Sequence, residues 1–548
     1  MHFFGENWAR RREKWNVFLR NSEKSINFAG DLRSQYILRY MKKIFFCVMG
    51  LLVAGAVMVN GAGLMELSSG NVLIDTCKTV TSAPAHILAY DLTADSTATG
   101  YDFSFKANMA ANSAALVFFN EAGDSIGTIA IPSVAAGANV VTVQTDAFPN
   151  HGREMRWAVR LTGPDNASFA MIFESAKISG RLHLAVDANP ESPYMGQAYV
   201  FGRNNVQATG LYIMDQQYNL SARHNFGLTQ INSGFMRPCV DENGMVWVPD
   251  QTAQRSGIWI IDPANPDTCV QFFQGTLDGI GMFMNGDTRV GGPGTTCFLY
   301  GKGENRKLFA HQEDNSDFMN PVNAVAIYNI GTSYSWNTAP TTTHDTQNHS
   351  AGNSALYVVK QGYWLSQFRN KSQNTATYPA LQFFAMDGTP LASFGGDPRI
   401  DGCAVAGMTL DTVHNRLYLA DGLSNILEFD VTYNDTTNVP TLDLVGKHLT
   451  NYQNIASMSL DYAGNLYVTG GGYGTSSLNK MQVAVFSPAT NGHNSTLVPA
   501  RKPIYFREDP TRINHIEGQE QAVRFIRNGQ LFIRKNGITY DAIGRVVR

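Results

Sequence analysis

The sequence predicts an all-β protein: an N-terminal β-sandwich, a central β-propeller of about six blades and a small C-terminal β-meander. Three observations lead there. No long stretch of the 548-residue chain holds an apolar period of 3.6 residues between caps, while glycine is abundant (50), aromatic residues reach 11% and charged residues only 16%. One strand–turn–strand unit recurs through the middle of the chain. Two Asn-Gly dipeptides punctuate alternating runs at the C-terminus.

The first block, residues 63–180, contains the alternating runs YDFSFKANM, AALVFFNEAGDSIGTIAI, NVVTVQTDAF, MRWAVRLTG and ASFAMIFES. Regularly spaced alternation of this kind reads as a sandwich, with one face of each strand turned inward. The stretch from Ala114 to Val143 resembles FlgD-like immunoglobulin modules, which implies an Ig-like architecture and nothing about activity.

The second block, residues 181–500, carries the repeat. PCVDENGMVWVPD, MTLDTVHNRLYLAD and MSLDYAGNLYVTGG each show an apolar strand ending in Asp, a turn with Asn or Gly, and a second strand with a central aromatic. Further strands follow, from Gly257, Asn425 and Gln482, and related ones start at Gly210, Asn323 and Ala380. About six units of short antiparallel strands suit a propeller, in which a ring covers the two faces that one blade cannot bury alone. Asp241, Asp411 and Asp461 are expected to anchor their hairpins through backbone bonds, with a channel-lining role as the alternative. Trp247, Tyr418 and Tyr467 are expected in inter-blade core. The D-x-x-[GN]-x-L-Y-[VL] turn resembles the blades of NHL-repeat and lactonase-like propellers.

Residues 501–521 form a polar linker with Pro503 and Pro510, and residues 522–548 the tail. Asn528-Gly529 and Asn536-Gly537 separate three alternating runs, which predicts two type I′ hairpins. The tail resembles the C-terminal sorting segment of proteins exported by the Bacteroidetes type IX secretion system. The pattern falls on Phe525, Gly529, Ile533, Gly537, Tyr540, Asp541, Gly544, Arg545 and Val547. The resemblance implies the type IX secretion machinery as a partner and an outer cell-surface or secreted location.

The N-terminal end agrees with export. From Met41, two lysines, an apolar run over Ile44 to Val59 and small residues at 61–63 follow in signal-peptide order, so residues 41–62 are expected to be cleaved. Residues 1–40 are read as an upstream extension ahead of the true start, or alternatively as a cytoplasmic segment before a signal anchor. No transmembrane segment is expected in the mature chain. Residues 1–61 hold 10 of the 42 basic and 4 of the 45 acidic residues, which leaves 32 against 41, a net −9. Such an acidic body argues against nucleic acid as a partner. The remaining cysteines, Cys77, Cys239, Cys269, Cys297 and Cys403, read mostly as buried small apolar residues; consecutive repeat units make Cys269 and Cys297 the first pair to consider for a disulfide.

Catalytic signatures such as H-E-x-x-H or a P-loop do not occur. The polar insertion TTTHDTQNHSAGNS offers His344, Asp345 and His349 as metal ligands, against the plain reading of a solvated loop. Trp336, Tyr363 and Trp364 flank it and are candidate ligand-binding aromatics, against a place in the core. No cofactor is expected, with Ca2+ or another divalent metal as the alternative. Two functions remain. One is a surface binding or adhesion protein whose propeller takes a glycan or surface-protein ligand. The other is a propeller hydrolase, lactonase or lyase acting on a carbohydrate or lactone at the channel mouth. Absent motifs favour binding over catalysis, but the fold hosts both.

Overall fold

The computed structural model describes residues 79–547 except 82, 149–153, 204–208, 227–234, 251–256, 275–282, 286–287, 291–293, 314–322, 336–341, 346–353, 368–378, 401–406, 422–423, 451, 453–454, 472–479, 506–522, 528–529, 536–537 and 542–544. The described residues are all-β apart from two single 3-10 turns.

The sandwich packs a sheet of Ala89–Ser96, Gly100–Ala107 and Gly137–Gln144 against a second one. The second runs, in spatial order, Ser495–Pro499, Arg156–Thr162, Ser113–Phe119, Ser125–Ile131. Alternation does what the sequence predicts: Phe103, Phe105 and Ala107 point inward from one strand, and Leu116 and Phe118 from the facing one. Phe103 meets Trp157 edge-on at 4.7 Å, Phe148 meets Phe118 at 5.5 Å, and the Trp157 indole donates to the Lys502 carbonyl at 3.1 Å.

Among the described residues the propeller has six blades, with a separate two-stranded hairpin of Phe283–Asn285 and Thr288–Val290 between the second and third. Blade 1 comprises Arg181–Val186, Ala198–Arg203 and Gly210–Met214, with its outer side met by bridges from Leu220 and His224. Blade 2 comprises Cys239–Val240, Val246–Asp250, Gly257–Ile261 and Val270–Gln274. Blade 3 comprises Gly294–Tyr300, Lys307–Glu313, Asn323–Asn329 and Thr342–Asp345, and blade 4 Ser354–Val359, Gly362–Gln367, Leu381–Phe384 and Pro390–Ser393. Blade 5 comprises Met408–Asp411, Arg416–Ala420, Asn425–Tyr433 and Pro440–Leu449. Blade 6 has Ser457–Leu460, Leu466–Gly470 and Lys480–Ser487, and its fourth strand is Ala170–Glu174, with Thr79–Val80 at the edge beyond it and Ile178–Ser179 pairing with the start of Lys480–Ser487. First strands neighbour one another all the way round, and the first strand of blade 6 returns to that of blade 1. Side chains seal the join: the Ser457 hydroxyl donates to the Leu184 carbonyl at 2.9 Å, and the Thr469 hydroxyl to Leu182 O at 2.9 Å.

The two domains share strands. Ala170–Glu174 leaves the sandwich block to complete blade 6, and Ser495–Pro499 leaves the propeller block to pair with Arg156–Thr162 of the sandwich. The breaks expected near residues 180 and 500 therefore do not coincide with sheet membership. Alternation shows that a segment is a strand, but its partner is set by ring closure, which needs an edge strand from elsewhere in the chain.

The tail forms its own three-stranded sheet of Val523–Arg527, Gln530–Lys535 and Ile538–Asp541. Arg527 pairs with Gln530 and Lys535 with Ile538, so the strands meet as two successive hairpins; the Asn-Gly positions between them lie outside the described residues.

Candidate functional site

The repeated aspartates hold equivalent places. Asp241 and Asp461 directly follow the first strand of their blade, and Asp411 is the last residue of its own. Asp241 Oδ1 accepts from the backbone N–H groups of Asn243 (2.8 Å) and Met245 (2.9 Å), and Asp461 Oδ1 from those of Ala463 and Asn465 (both 2.9 Å). Asp411 Oδ1 accepts from Val413 at 2.8 Å and His414 at 3.1 Å. The turn then needs a residue with positive φ, supplied by Gly244 (81°), Asn415 (52°) and Gly464 (95°). A β-carbon on Gly244 would also stand 2.3 Å from the Ser192 hydroxyl.

The face bearing these turns receives the sandwich near blades 6 and 1. The His86 backbone N–H donates to Asn465 Oδ1 at 2.8 Å, and its ring nitrogens lie 2.8 Å from the carbonyls of Ala463 and Pro488. Met195, Tyr462 and Ala463 of the propeller pack into the sandwich core.

Between blades 2 and 3 the same face holds a buried ionic network. The carboxylate of Asp241 receives Arg306 Nη1 at 2.9 Å, the Tyr334 hydroxyl at 2.8 Å and the Trp247 indole N–H at 3.2 Å, all on Oδ2. Arg306 also donates from Nε to Gly331 O at 2.7 Å and from Nη2 to Ser333 O at 3.1 Å, with its guanidinium 4.7 Å from the Tyr334 ring. Both carboxylate oxygens are engaged, so the group ties blades 2 and 3 together. Beside it, Asp187 follows the first strand of blade 1 and is fully buried. Burial pushes its carboxyl up to about 6; Ser192 and the Asn189 N–H oppose the shift and the charge of Asp241 adds to it.

A second cluster lies on blade 5. Glu428 receives Arg416 Nη1 at 2.8 Å and stands 2.6 Å from His448 Nε2, while Arg416 also binds Asp430. The His448 ring stacks on Phe169 at 4.0 Å and 9°. Burial raises the Glu428 carboxyl, but His448 and Arg416 outweigh it and hold the group below the usual range. Neither cluster was legible in the sequence. Arg306 and Asp241 are 65 positions apart, and nothing local marks Arg306 as buried.

The other predicted residues distribute as follows. Tyr363 and Trp364 are adjacent on the second strand of blade 4 and so face opposite sides of the sheet. Both are fully buried. Tyr363 stacks on Phe384 at 5.1 Å beside Phe309 of blade 3, and the Trp364 indole donates to the Tyr433 hydroxyl of blade 5 at 2.9 Å. Neighbouring blades cover both rings, so neither presents a face to a ligand. Trp336 and His349 lie outside the described residues, and His344 and Asp345 lie on the fourth strand of blade 3, paired in register with Val325 and Ala324. Among the described residues, no three His, Cys, Asp or Glu groups converge to hold a metal ion. The run Gly123-Asp124-Ser125-Ile126-Gly127 has the spacing of a hydrolase nucleophile elbow, but it spans a hairpin turn of the sandwich and no helix follows it.

In the tail, Phe525, Ile533 and Tyr540 fall on successive strands, while Gly529, Gly537 and Gly544 lie outside the described residues. The Arg545 N–H donates to Asp541 Oδ1 at 2.8 Å and its guanidinium binds Oδ2 at 2.8 Å, which turns the chain back so that Val546 meets Tyr540. Cys239, Cys269 and Cys297 are free thiols, and Cys239 and Cys297 are buried. Cys297 lies 3.4 Å, sulfur to sulfur, from Cys239, not against Cys269, because Cys239 and Cys297 belong to the adjoining first strands of blades 2 and 3. Cys269 precedes the outer strand of blade 2. Among the described residues no helix is long and apolar enough to cross a membrane.

No protein-family model matches the chain, and no curated protein does. Solved structures similar to it include a protein of unknown function from Bacteroides thetaiotaomicron, at 10% identity over 73% of this chain and 100% of that one, with a TM-score of 0.36. A gluconolactonase from Xanthomonas campestris matches at 12% identity over 60% and 90% of the two chains, TM-score 0.35. A calcium-binding protein, regucalcin, from Agrobacterium tumefaciens matches at 9% identity over 62% and 98%, TM-score 0.36. The propeller itself rests on the sheet order and the closed ring of first strands.

Proposed function

We propose that this chain is an exported surface protein. Its propeller binds a glycan or protein ligand, and its C-terminal sheet is the sorting segment read by the type IX secretion machinery. The observation that supports this reading is the tail. Among the described residues its strands pair only with one another, whereas the sandwich and propeller share strands in both directions. A segment with its own hydrogen-bonded sheet can be handled, and removed, without opening either domain. The motif positions Asp541 and Arg545 bind each other and shape the final turn. The two interlocked domains behind it form a single support for ligand-binding loops.

Fractionation of native cells tests the export reading. Full-length chain should reach the outer surface, and chain lacking residues 523–548 should accumulate in the periplasm, folded. Truncated protein found at the surface would overturn it. A glycan and surface-protein array probed with the full chain tests the binding reading. Turnover of a lactone or glycoside by the purified chain, with no lasting complex, would assign it instead to the hydrolases.

A further inference from the structure

We propose that Cys239 and Cys297 become a disulfide that ties the first strands of blades 2 and 3 together at the inner wall of the ring. The two sulfurs stand 3.4 Å apart, in contact but unbonded, and both side chains are buried. Closing a bond of about 2 Å needs only small side-chain movements. The strands that carry them are already held side by side, since Arg237, two residues before Cys239, bridges Thr296, the residue before Cys297. Around the pair are the Trp247 carbonyl, 3.6 Å from the Cys297 sulfur, and the apolar side chains Trp247, Ile258 and Leu308. The cysteines are 58 positions apart, so the link would close a long loop and remove much of the freedom of the unfolded chain.

The chemistry is a thiol–disulfide exchange. One cysteine, as thiolate, attacks an oxidised dithiol or glutathione disulfide and forms a mixed disulfide. The second thiolate then displaces the carrier thiol, so two protons leave the cysteines and the carrier is reduced. Timing follows from burial. Burial pushes the Cys239 thiol well above its ordinary range, with the Cys297 thiol adding to the effect. Little thiolate is available once the ring has closed, so the bond forms during folding.

The test uses the full chain, denatured, reduced and refolded in a buffer of oxidised and reduced glutathione, followed by a non-reducing peptide map. The expected result is a peptide joining Cys239 to Cys297, retained in a Cys269→Ser variant and lighter than the free pair by two hydrogen masses. Recovery of both residues as free thiols, or a link from either to Cys269, would overturn the assignment. Oxidised glutathione added to reduced protein that is already folded should form the link at least about tenfold more slowly than refolding does. Equal rates would overturn the claim that it forms during folding. The experiment is done in vitro, so its outcome does not depend on whether the chain is exported.

Discussion

Replacing Arg306 with Ala should be among the most damaging single changes in the propeller. Arg306 is 1% exposed and the Asp241 side chain with which it pairs is fully buried. Removing the guanidinium strips Asp241 of its cation, leaves the Gly331 and Ser333 carbonyls without their donors, and opens a space between Trp247 and Tyr334. Breaking one side of a buried ion pair costs about 3–5 kcal/mol, because the remaining charge stays desolvated. The Trp247 indole, the Tyr334 hydroxyl and two backbone N–H groups still hold Asp241, which places the loss near the lower end of that range. Asp241→Asn should cost a similar amount. The double variant should fall short of the sum by at least about 2 kcal/mol, since it leaves no uncompensated charge. Urea unfolding followed by tryptophan fluorescence suits the measurement, as Trp247 reports on the network directly. A loss below about 1 kcal/mol for Arg306→Ala, or strict additivity in the cycle, would refute the argument that the pair clamps blades 2 and 3.

Three further outcomes are expected. Asp187 has its carboxyl raised to about 6, so the native state takes up its proton more readily than the unfolded chain. Its contribution is fully present below about pH 4 and is lost as pH rises through 6, and Asp187→Asn should therefore stabilise by about 3 kcal/mol at pH 7.5 and by little at pH 4. Thermal melts across that range check the sign. Glu428 is held low by His448 and Arg416, so its contribution is present above its unfolded value and lost as pH falls; Glu428→Gln should destabilise at pH 7 and cost little once both states are protonated in acid. Trp364→Ala should lose about 3–5 kcal/mol through cavity formation and the lost bond to Tyr433; an unchanged melting temperature with weakened ligand binding would restore Trp364 as a recognition residue.

The features legible in the sequence are local ones. The turn after the first strand of a blade needs an oxygen acceptor at its start and a residue tolerant of positive φ at its end, so Asp241 with Gly244 and Asp461 with Gly464 announce it within four positions. The tail hairpins are readable for the same reason. Period-two alternation marks Phe103, Phe105 and Phe118 as inward-facing before any partner strand is known. Trp364 shows where local reading ends. Its place beside a polar insertion suggests exposure, yet blade 5 covers it.

By itself, then, the sequence determined the strand class, the repeat with its Asp-anchored turns, and the C-terminal meander, because backbone conformational preferences act over a few residues. Only the tertiary structure decided that Ala170–Glu174 completes blade 6 and Ser495–Pro499 the sandwich, that Arg306 neutralises Asp241 across two blades, and that Cys297 faces Cys239 and not Cys269. Those outcomes join residues 58 to over 300 positions apart. They follow from closing a ring, which requires every blade face to find cover, and no local pattern along the chain encodes which distant segment provides it.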